Sequence, residues 1–140
     1  MLLFALAYLF GMKAPLAPAP TLPTTSLNVD QTSIVAELAT TPTQQEQGLS
    51  GRTGLLPDHG MFFIFDHPAQ WGIWMKGMQF SLDILWADEN GRVITIEQNV
   101  SPSTYPNSFY PQAPALYVLE LPAGFVKEHN IAIGSQIVVK

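Results

Sequence analysis

Residues 60–86 read GMFFIFDHPAQWGIWMKGMQFSLDILW and hold three nearly continuous apolar runs, Gly60–Phe65, Trp71–Met75 and Leu82–Trp86. Each is too short for a helix and is rich in aromatic and β-branched residues, the signature of strands covered on both faces. They predict the middle of a sheet. Around them, period-two alternation predicts half-buried strands at Ser33–Ala39 (Ile34, Ala36 and Leu38 on one face), Arg92–Gln98 and Ala115–Leu121. Ser135–Lys140 supplies a last strand, and Asp88-Glu89-Asn90-Gly91 has the composition of a hairpin turn.

Two short helices interrupt the strands. Thr41 is placed to cap a helix from Pro42 to about Gln47, with Gln44 reaching back to form a capping box and Gly48 closing it. Pro122 to about His129 predicts the second, with Asn130 as a left-handed stop. Ser101–Pro114 carries four prolines and no periodicity, which predicts a long loop in which Tyr105, Phe109 and Tyr110 either plug the barrel mouth or form a binding surface for a sugar or a partner chain. The expected fold is mainly β (a β-rich α+β domain), a partly closed barrel or roll of about six or seven strands with two short helices.

The first 25 residues read as separate from this domain. Met1–Met12 is an uncharged apolar run, shorter than the roughly 20 residues that span a bilayer. It resembles the apolar part of an export signal without the basic stretch that normally precedes one. Ala14–Thr25 carries four prolines and reads as a stiff spacer. The expectation is a single β-rich domain, residues 26–140, exported and either tethered to the membrane by this segment or periplasmic or extracellular. Membrane contact is expected only through the N-terminal segment.

Charge narrows the function classes. Of 140 residues 12% are charged, and the formal net charge is −5. In residues 26–140, five cations against eleven acids leave −6. Such a surface lacks the positive field that holds phosphate backbones, so no nucleic-acid partner is expected. With no cysteine, thiolate metal sites, iron–sulfur clusters and cysteine nucleophiles are excluded. Asp58-His59 and Asp66-His67 look like a repeated metal-binding pair, but the histidines stand eight residues apart, about 26 Å in an extended strand. They read as turn and cap residues, and neither a metal site nor a cofactor is expected.

In so sparsely charged a chain, ions embedded in apolar runs are the candidate site residues: Lys76 ending WGIWMK, Asp83 in LDILW and Glu120 in YVLEL, with Arg52 joining from the loop after the first helix. Burying an unpaired carboxylate costs several kcal/mol, so partners are expected, with Lys76 and Arg52 the natural ones. Trp71 and Trp74 would add flat apolar walls. The cluster is either a structural network, with Asp83 held by a cation and by backbone where the sheet curves, or a ligand-binding pocket of Arg52, Trp71, Trp74, Lys76, Asp83 and Glu120. The function expected is non-catalytic binding of a small polar or carbohydrate-like ligand. Alternatives are a hydrolase using Asp83 and Glu120, whose separation sequence does not give, and a structural or protein-interaction module of the cell envelope. No residue is assigned a catalytic role.

The series Gly48-Leu49-Ser50-Gly51-Arg52, Leu56, Gly60-Met61-Phe62-Phe63, Trp74-Met75-Lys76, Leu82-Asp83-Ile84, Tyr117-Val118-Leu119-Glu120-Leu121, Ala123-Gly124 and Gly134 resembles the family catalogued as domain of unknown function 192, over about residues 33–140. The resemblance implies a small, mainly β domain of bacteria and archaea, often exported or lipid-anchored, without an established activity. Where the family usually has an Asn-Thr pair after the Trp-Met-Lys motif, this chain has Gly77-Met78.

Overall fold

The computed structural model describes residues 22–140. The apolar run and most of the proline-rich stretch lie outside the described residues. No helix among the described residues is long and apolar enough to cross a membrane.

Seven strands form one sheet. In chain order they are β1 (Thr24–Val29), β2 (Thr32–Ala39), β3 (His59–Ala69), β5 (Leu82–Ala87), β6 (Val93–Val100), β8 (Ala115–Pro122) and β9 (Ile137–Val139), arranged β6-β5-β8-β3-β2-β1-β9. A two-stranded ribbon pairs β4 (Ile73–Trp74) with β7 (Ser108–Phe109). The helices are α1 (Pro42–Gln47) and α2 (Phe125–Glu128). The fold is therefore mainly β, as expected, and the sheet curls into a half-barrel. At one end the curl closes: Arg92 bridges Gln136, and Val93 N–H donates to Ser135 O at 2.9 Å.

The curl follows from the packing on its two faces. Val93 next to one sheet end, Ile137 at the other and Leu119 in the middle share one apolar cluster with Phe62, Leu85 and α2's Phe125 and Val126. That face is the inside. The other face of β3, β5 and β8 carries Met61, Phe63, Ile84, Trp86 and Val118, and is covered by Leu49, Ile73 and Met75. With both faces covered, all six residues of β5 are buried, which is why LDILW reads as one apolar run.

Several boundaries differ from the sequence expectation. The sheet begins at Thr24, and Leu38 N–H donates to Pro23 O at 2.8 Å, so the end of the supposed spacer is part of the domain. The Trp71–Met75 run is not central: only Ile73–Trp74 is strand, in the small ribbon, and β8 takes the place between β3 and β5 in the sheet. The 101–114 loop contains a single 3-10 turn at Pro102–Thr104 and the short β7. Pro122 ends β8 rather than opening a helix, and Gly124, with φ 91°, makes the turn into α2.

Local signals survive. The capping box forms, Thr41 Oγ1 accepting from Gln44 N–H at 3.2 Å while Gln44 Oε1 accepts from Thr41 N–H at 3.2 Å. Asn130 adopts φ 53° where the stop was expected. β2 and β3 run parallel, which demands a crossover of about a dozen residues or more, and residues 40–58 with α1 supply it.

Candidate functional site

Glu120 sits in β8 between Met61 of β3 and Ile84 of β5, with its side chain on the face that α1 and the ribbon cover. It is 5% exposed. Among the described residues, no group donates a hydrogen bond to its buried Oε2. Burial disfavours the ionised form and raises the carboxyl pKa to about 8. At neutral pH it is mainly a neutral acid.

Glu120 contributes to a cleft of about 290 Å³, at the small end of the range of ligand pockets. One wall is α1 and the turn after it, Gln45–Ser50. Gln45 pins that wall to the sheet, its Nε2 donating to Ile64 O at 2.9 Å and Ala39 O at 3.2 Å. The opposite wall is aromatic. Phe65 stacks on Trp71 with centroids 4.4 Å apart, and Phe63 stacks on Phe65 at 6.3 Å. Trp71 is held by its own Nε1, which donates to His67 O at 3.0 Å, and by Trp86 Nε1, which donates to Trp71 O at 2.8 Å. Trp74 stands at the rim, 41% exposed, with Tyr105 edge-on and Lys76 Nζ 5.3 Å from its ring centroid.

The structure brings three of the six sequence candidates, Trp71, Trp74 and Glu120, to this cleft and takes three elsewhere. Asp83 pairs with Leu121 in register while Ile84 pairs with Glu120, so the two carboxyl groups point to opposite faces of the sheet. They cannot act on one bond as acid and base. Asp83 is fully buried, and its partners are backbone rather than cations: Oδ1 accepts from Asn99 N–H and Oδ2 from Val126 N–H, both at 2.9 Å. Asn99 has φ 53° at the register shift between β5 and β6. Asp83 thus fastens the bulged edge of the sheet and the start of α2.

Arg52 does not reach Asp83 or Glu120. It forms a two-pronged ion pair with Glu37 of β2, Nη2 to Oε2 at 2.8 Å and Nη1 to Oε1. The guanidinium's hydrogen bond holds the Glu37 carboxyl below its ordinary pKa, and Glu37 raises that of Arg52. A hollow of about 430 Å³ beside Arg52 is bordered by Leu22, Thr43, Gln44, Gln47, Gly48 and Ser50. Its one cation is already neutralised. Lys76 caps Trp74 from outside the cleft.

Sequence reading missed Glu37, Gln45 and Glu46. Glu37 is the only charge in β2, a signal of the same kind that singled out Asp83 and Glu120. The Asp-His pairs bond internally, His59 Nδ1 to Asp58 Oδ1 at 2.8 Å and His67 Nδ1 to Asp66 Oδ1 at 2.6 Å. No metal-binding cluster occurs among the described residues.

The model of the family described as "DUF192: Uncharacterized ACR" matches residues 25–139. No curated protein matches the chain. Among solved structures, a Sinorhizobium meliloti 1021 protein described as a candidate transcription regulator is 31% identical, with a TM-score of 0.81 over 85% of this chain and 95% of that one. A protein of unknown function from Novosphingobium aromaticivorans DSM 12444 is 29% identical, with a TM-score of 0.80 over 87% of this chain and 89% of the other.

Proposed function

The chain belongs to the DUF192 family, and from that premise we propose that it is a non-catalytic binding domain for a small polar ligand, carbohydrate-like molecules included, seated in the Glu120 cleft. The observation that carries this reading is the Glu120 carboxyl, buried beside a cleft with no donor for Oε2 among the described residues. Buried polar groups are almost always satisfied, so this exception calls for a partner, and the open cleft beside it gives a small polar ligand room to be one. The aromatic wall supplies the apolar contact area that small-ligand sites combine with a few polar groups. A hydrolytic mechanism needing both Asp83 and Glu120 lacks its geometry, because the sheet separates them.

The same reading makes the protein exported, tethered or free outside the cytoplasmic membrane, and the support is the apolar Met1–Met12 run followed by a proline-rich stretch. It carries no nucleic-acid partner, since the net charge of −5 opposes a phosphate backbone.

Intrinsic tryptophan fluorescence tests the reading directly, because Trp71 and Trp74 both line the cleft. The full chain titrated with a panel of small polar ligands should give a saturable change with at least one, and Trp71→Leu should abolish it while the far-UV spectrum stays that of the wild type. A panel without response, or a response that persists unchanged in W71L, refutes the cleft as the binding site.

A further inference from the structure

The Glu120 cleft has an imbalance of hydrogen-bonding groups that narrows its ligand. Four of its side-chain groups already donate inside the protein. Gln45 Nε2 donates to Ala39 O and Ile64 O, Gln47 Nε2 to Ser50 O at 3.1 Å, Ser50 Oγ to Lys76 O at 2.6 Å and Trp71 Nε1 to His67 O. What these walls leave open is mainly acceptor. Both ionisable side chains in the lining, Glu46 on α1 and Glu120 on β8, are acids.

We propose that the cleft takes an organic cation, an alkylammonium or quaternary ammonium group, held by Glu120 and the aromatic wall of Phe63, Phe65, Trp71 and Trp74. This rests on the binding reading above and names the ligand class within it. A sugar needs several donors as well as acceptors to fix its hydroxyls, and it would find few free, Trp74 Nε1 at the rim and the neutral Glu120 carboxyl among them. An anion would face the Glu46 carboxylate and a negative domain. A cation gains from both, and from aromatic ring faces that attract positive charge. The chain itself does this once, where Lys76 Nζ sits 5.3 Å from the centroid of Trp74.

Cation binding has a protonic consequence. Glu120 free of ligand is mostly neutral at pH 7, because burial raises its pKa to about 8. An ammonium beside it favours the carboxylate, so capture expels the carboxyl proton into solvent. The other ionisable groups around the site are Glu46 from α1, Lys76 against the outer ring of Trp74, and His67 of β3 against Trp71, itself bonded to Asp66.

Calorimetric titration of the full chain with choline chloride and with its neutral isostere 3,3-dimethyl-1-butanol, at pH 6, 7 and 8, tests the proposal, with N-acetylglucosamine as the sugar arm. Choline should bind about 50-fold more tightly at pH 8 than at pH 6 and release about 0.9 proton per ligand at pH 7, as follows from a carboxyl titrating at about 8. The profile should persist in His67→Gln and vanish, with choline binding, in Glu120→Gln. Choline binding with no pH dependence, or butanol binding as well as choline, overturns the inference. Should E120Q fail to fold, the wild-type pH profile and proton count decide alone. If the sugar binds and choline does not, the cation inference falls while the binding reading stands; if none of the three binds, the cation inference falls and the fluorescence panel decides the binding reading.

Discussion

Replacing Glu120 with Gln should change how stability depends on pH more than it changes stability at any one pH. The glutamate's carboxyl titrates near 4.5 when unfolded and at about 8 in the folded chain, because burial leaves the ionised form without solvation. Between those values the folded state holds a proton that the unfolded state has released, so wild-type stability falls as pH rises. The slope is about 1.4 kcal/mol per pH unit, which accumulates to roughly 5 kcal/mol across the window. Stability associated with the neutral carboxyl is fully present below pH 4.5 and is gone above pH 8. A small domain has only about 5–15 kcal/mol in hand, so the wild type should be visibly weaker at pH 9 than at pH 5. E120Q removes the titration but buries an amide N–H₂ without an acceptor, a pH-independent cost of roughly 1–3 kcal/mol. The two stability curves should therefore cross, the wild type being the more stable at pH 5 and the variant at pH 9. Urea unfolding of both proteins at unit intervals from pH 5 to 9 reads this directly, and the histidines, common to both, cancel in the difference. A difference that stays constant from pH 5 to 9 refutes the account of Glu120 as a buried acid without a partner.

Asp83→Ala should lower the urea midpoint by an amount equivalent to roughly 2–5 kcal/mol, since it strands the Asn99 and Val126 N–H groups that the carboxyl receives. Asp83→Asn, which keeps one acceptor oxygen, should lose less. Two glycine substitutions should differ in thermal unfolding. A Cβ at Gly60 would sit 2.5 Å from the Glu120 carbonyl oxygen, which is backbone in a central strand and cannot yield, so Gly60→Ala should cost about 1–3 kcal/mol or more. At Gly72 the clash is 2.6 Å from the ring of Tyr110, which is 60% exposed and free to swing, so Gly72→Ala should be nearly neutral. Arg52→Ala should raise the pKa of Glu37, which the guanidinium holds down, and cost about 1 kcal/mol or less because the pair is partly solvated. That loss is present above pH 4.5 and disappears as acid protonates Glu37 in both proteins, while ligand affinity of the Glu120 cleft stays unchanged; a stability difference that grows in acid would contradict the pairing.

What could be read from the sequence is what local spacing determines. Alternation within LDILW correctly separates Leu82, Ile84 and Trp86 from Asp83 and Leu85, and the Thr41 capping box sets the start of α1. The Trp71–Met75 run misleads because tryptophan hides an alternation: Ile73 and Met75 are buried while Trp74 faces solvent. The relation between Asp83 and Glu120 depends on a different quantity, the register of β5 against β8. A slip of one residue in that register would put both carboxyls on one face. No periodicity within either strand specifies it, and the register found, Ile84 against Glu120, sends them apart. The partners follow the same logic. Asp83 and Glu120 each call for a donor, and Arg52 and Lys76 are the cations the sequence offers, yet Glu37 takes Arg52 and the Trp74 ring takes Lys76. Backbone N–H groups satisfy Asp83 without any cation. Glu120 is left over once those long-range pairings are made, and this gives the residue its functional weight. A carboxyl is legible in a sequence, whereas its lack of a partner exists only after the rest of the chain has folded around it.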